Sequence, residues 1–213
     1  MTGTELSANL GLRLEDPAES VFTEAAKVDA INMGQKAVVN MVDNNYLAEL
    51  QNVAENKTVA SGFCAYATAF DTDLPIRNGI VGIKNTGADG TWCTMLEVGD
   101  AKRLENSYLA GSATNPTAYV FNEKLYVDNG NTAIDIWYLQ SPTDYVAGAI
   151  TAECQLNPAL QELVLDFAEA QLWRMDAKPD RAAAAYSNAL NVIKVLNERY
   201  QVEKPEGIGT KGR

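Results

Sequence analysis

The chain has no histidine among its 213 residues. That absence removes Ser-His-Asp and Cys-His nucleophilic sites, and every histidine-ligated metal. Cysteine is nearly as scarce: Cys64, Cys93 and Cys154 are odd in number, far apart and free of any CxxC pair. Neither a zinc site nor a disulfide framework is indicated, and the three read as buried, reduced thiols of a cytosolic protein. No apolar run approaches the roughly 18 residues that span a bilayer. The start, MTGTELSANLGLRLEDPAES, has neither a basic opening nor an apolar core, so no secretory signal is expected. The Asn56-Lys57-Thr58 sequon then carries no weight. Positive charge is short as well, with Lys+Arg 17 against Asp+Glu 28 and a net charge of -11. Such a surface repels nucleic-acid phosphate, which argues against gripping DNA or RNA and suits a wall past which DNA slides. No repeat at solenoid spacing is present.

What remains is a chain of 46% hydrophobic residues, enough to bury a core without disulfides or metal. Its length suits one domain with an insertion, or two small domains. Residues 1–52 read as helical. A short amphipathic stretch stops before Asp16-Pro17, a breaker pair. Thr23 then caps a helix with Glu24 in its first turn, where the helix dipole favours negative charge. Val28, Ile31, Val38 and Val42 fall near one face, flanked by Ala30, Ala37 and Met41, and Asn44-Asn45 ends or bends the helix.

Residues 53–141 change period. β-branched and aromatic residues are broken by Asn78-Gly79 and by NTGADG, turn signals between short strands. A helical turn over residues 101–108 is expected. AYVF and KLYVD predict a tight hairpin around residues 122–124, and KLYVD with TAIDIWYL a second around Asn129-Gly130. In that last strand Ile134, Ile136 and Tyr138 face one way, and Ala133, Asp135, Trp137 and Leu139 the other. Large side chains on both faces predict a strand covered at least in part on both sides.

Residues 142–203 hold a closing helix pair. Asn157 is an N-cap with Pro158 at the first helical position. Leu160, Leu163, Val164, Phe167 and Gln171 form one stripe, with Leu165, Ala168 and Leu172 as a second edge. After Lys178-Pro179, a second helix carries Ala182, Tyr186, Ala189, Ile193, Leu196 and Tyr200 on one face. The short connection implies an antiparallel pair. Residues 204–213 read as a flexible tail. The expected fold is therefore α+β: a helical bundle built from both chain ends, with a small antiparallel β-domain inserted.

Candidate sites are few. GIGTKGR lacks the GxxxxGK[ST] spacing and its flanking elements, so a tail that orders on a partner is preferred to a phosphate loop. Asp71 and Asp73, with Asp89 further on, can be written as a cation or glycosyl-transfer site. No third ligand is identifiable, and Asp-rich turns explain them. Trp92, Tyr119, Phe121, Tyr126, Trp137 and Tyr138 would serve either as sheet core or as a sugar-stacking platform. Trp173 and Tyr186 suit an interface or intramolecular helix packing.

Three segments together resemble the head-to-tail adaptor (connector) proteins of tailed bacteriophages. FTEAAKVDAINMGQKAVV is similar to that family's second helix, with an Asn and a Gln spaced as Asn32 and Gln35 are. PTAYVFNEKLYVDNGNTAIDIWYLQSPTDY is similar to its middle strands, which end in an aromatic-x-x-x-Pro element, here Tyr138 to Pro142. CQLNPALQELVLDFAEAQLWRMDAKPDRAAAAYSNALNVIKVL resembles its closing helix pair. The stretch 53–109 carries no such likeness. The resemblance implies a virion protein without catalysis or cofactor, present in the host cytoplasm during assembly. It would form a ring, usually of twelve copies, between the portal protein and the tail nozzle or tube, with DNA passing through. It implies that the C-terminal segment docks on the portal, making Lys204, Ile208, Lys211 and Arg213 contact residues. Asn129, Gly130 and Trp137 would meet neighbouring subunits or the tail. The rival readings are another tail-completion or tail-tube protein of a phage, a carbohydrate-binding β-module, and a metal-dependent enzyme using Asp71 and Asp73.

Overall fold

The computed structural model describes residues 1–70, 75–86, 90–100, 111–112, 114–128 and 133–203. The expected helical turn at 101–108 and the tail 204–213 lie outside them. The fold is α+β, in two compact units. One comprises Met1–Glu49 together with the chain from Pro142 onward; the other is Leu50–Ser141.

The first unit is helical. α1 (Gly3–Arg13) opens with a reciprocal cap: the Glu5 N–H donates to the Thr2 hydroxyl, and the Thr2 N–H to the Glu5 carboxylate. α2 (Glu24–Met41) is capped by Thr23, whose hydroxyl accepts from the Ala26 N–H. A 3-10 segment, Asn44–Leu50, follows. α4 (Pro158–Met175) starts at Asn157, whose side chain accepts from the Ala159 N–H, with Pro158 at its first position. α5 (Pro179–Glu203) completes the unit.

α4 is buried almost all round, so both of its predicted stripes are core: Leu160, Leu163 and Val164 on one edge, Leu165, Ala168 and Leu172 on the other. α2 lies against it, with Val28, Ile31 and Val38 buried. A Cβ on Gly34 would come within 2.5 Å of the Val164 carbonyl oxygen, so only glycine lets the two backbones approach this closely. Arg13 pairs with Glu162 and, at 2.6 Å, with Asp166, which also accepts from Asn188 on α5. Trp173 meets Phe22 edge-on at 6.1 Å, and Tyr186 meets Phe167 at 5.6 Å. Both aromatics therefore pack within the bundle.

Among the described residues the second unit contains two sheets. β1 (Gln51–Thr58), β7 (Ala133–Gln140) and β3 (Pro75–Asn85) form one, in the order β1-β7-β3. β2 (Phe63–Ala65), β6 (Lys124–Asp128), β5 (Thr117–Phe121) and β4 (Thr94–Met95) form the other, in the order β2-β6-β5-β4. A one-turn helix α3 (Tyr66–Ala69) follows β2. Ile83, Ala118, Leu125, Ile134, Ile136 and Tyr138 belong to one buried cluster.

Four expectations need correcting. β6 and β7 do not form a hairpin. Both edges of β6 are taken, by β2 and β5, and β7 instead pairs with β1 and β3 in the other sheet. β6 and β7 thus belong to different sheets, and Asn129-Gly130, where the hairpin was expected, lies outside the described residues. Asn78-Gly79 lies inside β3, where the register shifts, rather than at a turn between strands. Among the described residues the pairing is antiparallel except for β4 with β5, which is parallel. Finally, β1 begins at Gln51, so residues 51–52 are the first of the strand rather than the last of the helical segment. The Asn122-Glu123 hairpin is present, with both residues at positive φ (48° and 56°), the geometry of a type I′ turn. The unit's ends lie side by side, since Gln51 is the partner of Leu139.

Candidate functional site

Asn32 and Gln35, the Asn and Gln that carry the adaptor resemblance on α2, lie together in the helical unit. Asn32 on α2 is buried and binds the backbone of Tyr145 twice: its Nδ2 donates to the Tyr145 carbonyl, and the Tyr145 N–H donates to its Oδ1, both at 2.9 Å. An amide side chain here completes the hydrogen bonding of a peptide unit, as a neighbouring strand would. One turn on, buried Gln35 donates to Asn32 Oδ1 at 3.5 Å and accepts from the Cys154 thiol at 3.7 Å. Burial pushes the Tyr145 hydroxyl well above its ordinary pKa, and the neighbouring Cys154 adds to the shift. Together these contacts hold the segment 142–157 to α2.

A second polar constellation sits where α1 turns toward α2. The Asp16 carboxylate accepts from the N–H groups of Ser20 (2.7 Å), Val21 (3.1 Å) and Phe22 (2.8 Å) and from the Ser20 hydroxyl (2.7 Å). The Phe22 and Ser20 bonds lead in holding its pKa well below the usual carboxylate range, against the opposing effect of burial. Lys27 extends beneath this loop, only 2% exposed, and donates to the Asp16 carbonyl at 3.0 Å; Glu19 lies 3.6 Å away. Beside it opens a cleft of about 380 Å³, floored by Thr4, Ser7, Ala8 and Gly11 and rimmed by Glu19 and Glu24. Nothing in the sequence reading pointed to Lys27. A signal was there: Lys27, Ile31, Gly34 and Val38 share one helical face, so a lysine stands in the apolar stripe.

In the β unit the aromatics divide between different surroundings. Tyr138 is buried, 4.6 Å from Phe70. Trp137 points away from that core. It is half-buried beneath Trp92, whose ring lies 4.6 Å from it and is itself 55% exposed. Gly82 makes room, because a Cβ there would come within 2.8 Å of the Trp92 ring. On the other sheet Phe63, Tyr126 and Tyr119 stand in register on adjacent strands. Tyr119 and Tyr126 stack at 4.8 Å and 4°, Phe63 tilts against Tyr126 at 5.7 Å, and Lys124 Nζ caps the Phe63 ring at 4.4 Å. A sugar stacks on an open ring face, and the Tyr119–Tyr126 stack and the Lys124 cap each take up one such face. Phe121, 54% exposed, extends the surface at the hairpin.

The thiols Cys64 and Cys93 are buried, and burial pushes Cys93 up to about 11, which suppresses the reactive thiolate. No group of three or more metal-ligating side chains occurs among the described residues. Asp71, Asp73 and Asp89 lie outside them, as do Asn129, Gly130, Lys204, Ile208, Lys211 and Arg213. No helix among the described residues is long and apolar enough to cross a membrane. No protein-family model and no curated protein matches the chain.

Proposed function

We propose that this chain is a structural virion protein, a ring-forming head-to-tail adaptor that joins the portal to the tail of a bacteriophage and continues the DNA channel. One observation carries the reading. The three segments that resemble the adaptor family meet in a single clamp: Asn32 and Gln35 from the first, Tyr145 from the end of the second, and Cys154 from the start of the third. Segments far apart in sequence, each resembling that family, are thereby tied to one another in space.

In this reading helical units pack side by side to close the ring, in the usual case from twelve copies. The β unit faces the tail or neighbouring subunits, with Asn129, Gly130 and the Trp92–Trp137 pair as contacts. Lys204, Ile208, Lys211 and Arg213 face the portal. A chain of net charge -11 lines a channel through which DNA passes without adhering. The test is to mix the purified chain with its cognate portal and measure particle mass, with electron microscopy of the product. A ring-bearing complex is expected. Failure to form one at any salt concentration overturns the proposal.

A further inference from the structure

We infer that the acid-rimmed cleft beside Lys27 receives the C-terminal segment of a second copy of this chain, with Ile208 as its apolar anchor. The cleft offers a hollow of small side chains, Ser7, Ala8 and Gly11, bordered by the exposed Leu12 and Pro17. Among the described residues the titratable groups lining it are Glu19, Glu24 and Lys27. Lys27 already donates to the Asp16 carbonyl and stands a loose 3.6 Å from Glu19, so the rim keeps a net negative charge. The segment after Glu203 reads KPEGIGTKGR. It presents one large apolar residue, Ile208, between two glycines, with Lys204, Lys211 and Arg213 around it against a single Glu206. An apolar side chain between basic flanks complements a small apolar hollow between carboxylates.

Reach decides that the occupant comes from another copy. α5 runs parallel to α2: Arg181 lies over Trp173, itself beside Phe22, whereas Asn197 donates to the Met41 carbonyl. The end of α5 is therefore level with the end of α2. Lys27 lies back along α2 from Met41 by about 21 Å, and Glu203 extends about 9 Å beyond Asn197. A chain stretched from Glu203 to Ile208 covers at most about 18 Å, short of the roughly 30 Å needed. Ile208 cannot enter its own cleft, so the contact joins one copy to the next. Because it uses different surfaces on the two copies, it propagates head to tail, as a ring requires. The inference deepens the adaptor reading, in which copies stand side by side, yet its test needs no portal. The same segment is the proposed portal contact, so the cleft would hold it until a portal competes.

The test is fluorescence anisotropy with a labelled, end-blocked peptide of residues 203–213, titrated into the full-length chain at low salt. Saturable binding is expected, weakening as salt rises. Ala8→Trp, an exposed position that fills the hollow, is expected to weaken it at least tenfold without moving the melting temperature. Ile208→Asp in the peptide, and Glu19→Gln with Glu24→Gln in the chain, should each weaken it as well. Absence of binding, or binding untouched by Ala8→Trp, overturns the inference. A cleft that ignores the peptide but binds the portal subunit assigns the surface to the portal, overturning this inference while the adaptor reading stands.

Discussion

At the scale of single residues, the polar groups most deeply committed are Asn32 and Asp16. Asn32→Ala would leave the buried N–H and carbonyl of Tyr145 without partners, at about 2–4 kcal/mol; chemical denaturation should show a loss of that size. Asp16 acts through its charge. Its native pKa is depressed, so its stabilising effect is present above the unfolded value of about 3.9 and is lost as pH falls toward the native value. The stability difference between the natural chain and Asp16→Ala should therefore hold steady from neutral pH to about 5, and narrow below about 4. Urea titrations across that range would read it; a gap widening toward acid would contradict the assignment. The sequence pointed to Asp16 only as a breaker before Pro17. Its four acceptor bonds depend on how the next six residues fold back, which no periodicity reveals.

At the scale of elements, close helix approach and tight turns set the predictions. Gly34→Ala drives a methyl toward the Val164 carbonyl and should cost about 1–3 kcal/mol despite alanine's better helix propensity. Glu123→Gly should stabilise by up to about 1 kcal/mol, since Glu123 sits at φ 56° in a two-residue turn. Thermal melts of both variants suffice. Helices were legible because their signals are local: Thr23 and Asn157 cap, Pro158 starts, and the apolar stripes of α2 and α4 keep a helical period. Strand partners were not legible in the same way. Asn129-Gly130 is a strong local hairpin signal, but pairing is settled by which edges are already occupied. β2, some sixty residues earlier by sequence number, fills the edge of β6 that β7 would need. The alternation along β7 did forecast its faces, with Ile134, Ile136 and Tyr138 buried, because alternation survives whatever the partner is.

At the scale of the whole molecule, the paired tryptophans of the β unit separate folding from assembly. Trp137→Ala should cost about 2–3 kcal/mol of monomer stability, for it is the covered member of the pair. Trp92→Ala should cost only about 1 kcal/mol, because most of its ring already faces solvent. If the β unit meets neighbours through this pair, Trp92→Ala will fold yet impair ring formation, as sizing alongside the portal would reveal. The inserted unit leaves and returns at Gln51 and Leu139, which are paired neighbours on adjacent strands and so stand about 5 Å apart. For the gene, this makes the insert exchangeable. A different module whose ends lie one strand spacing apart can replace residues 51–139 by recombination with the same distance between its ends. Lineages are then free to exchange this part of the protein while inheriting the rest.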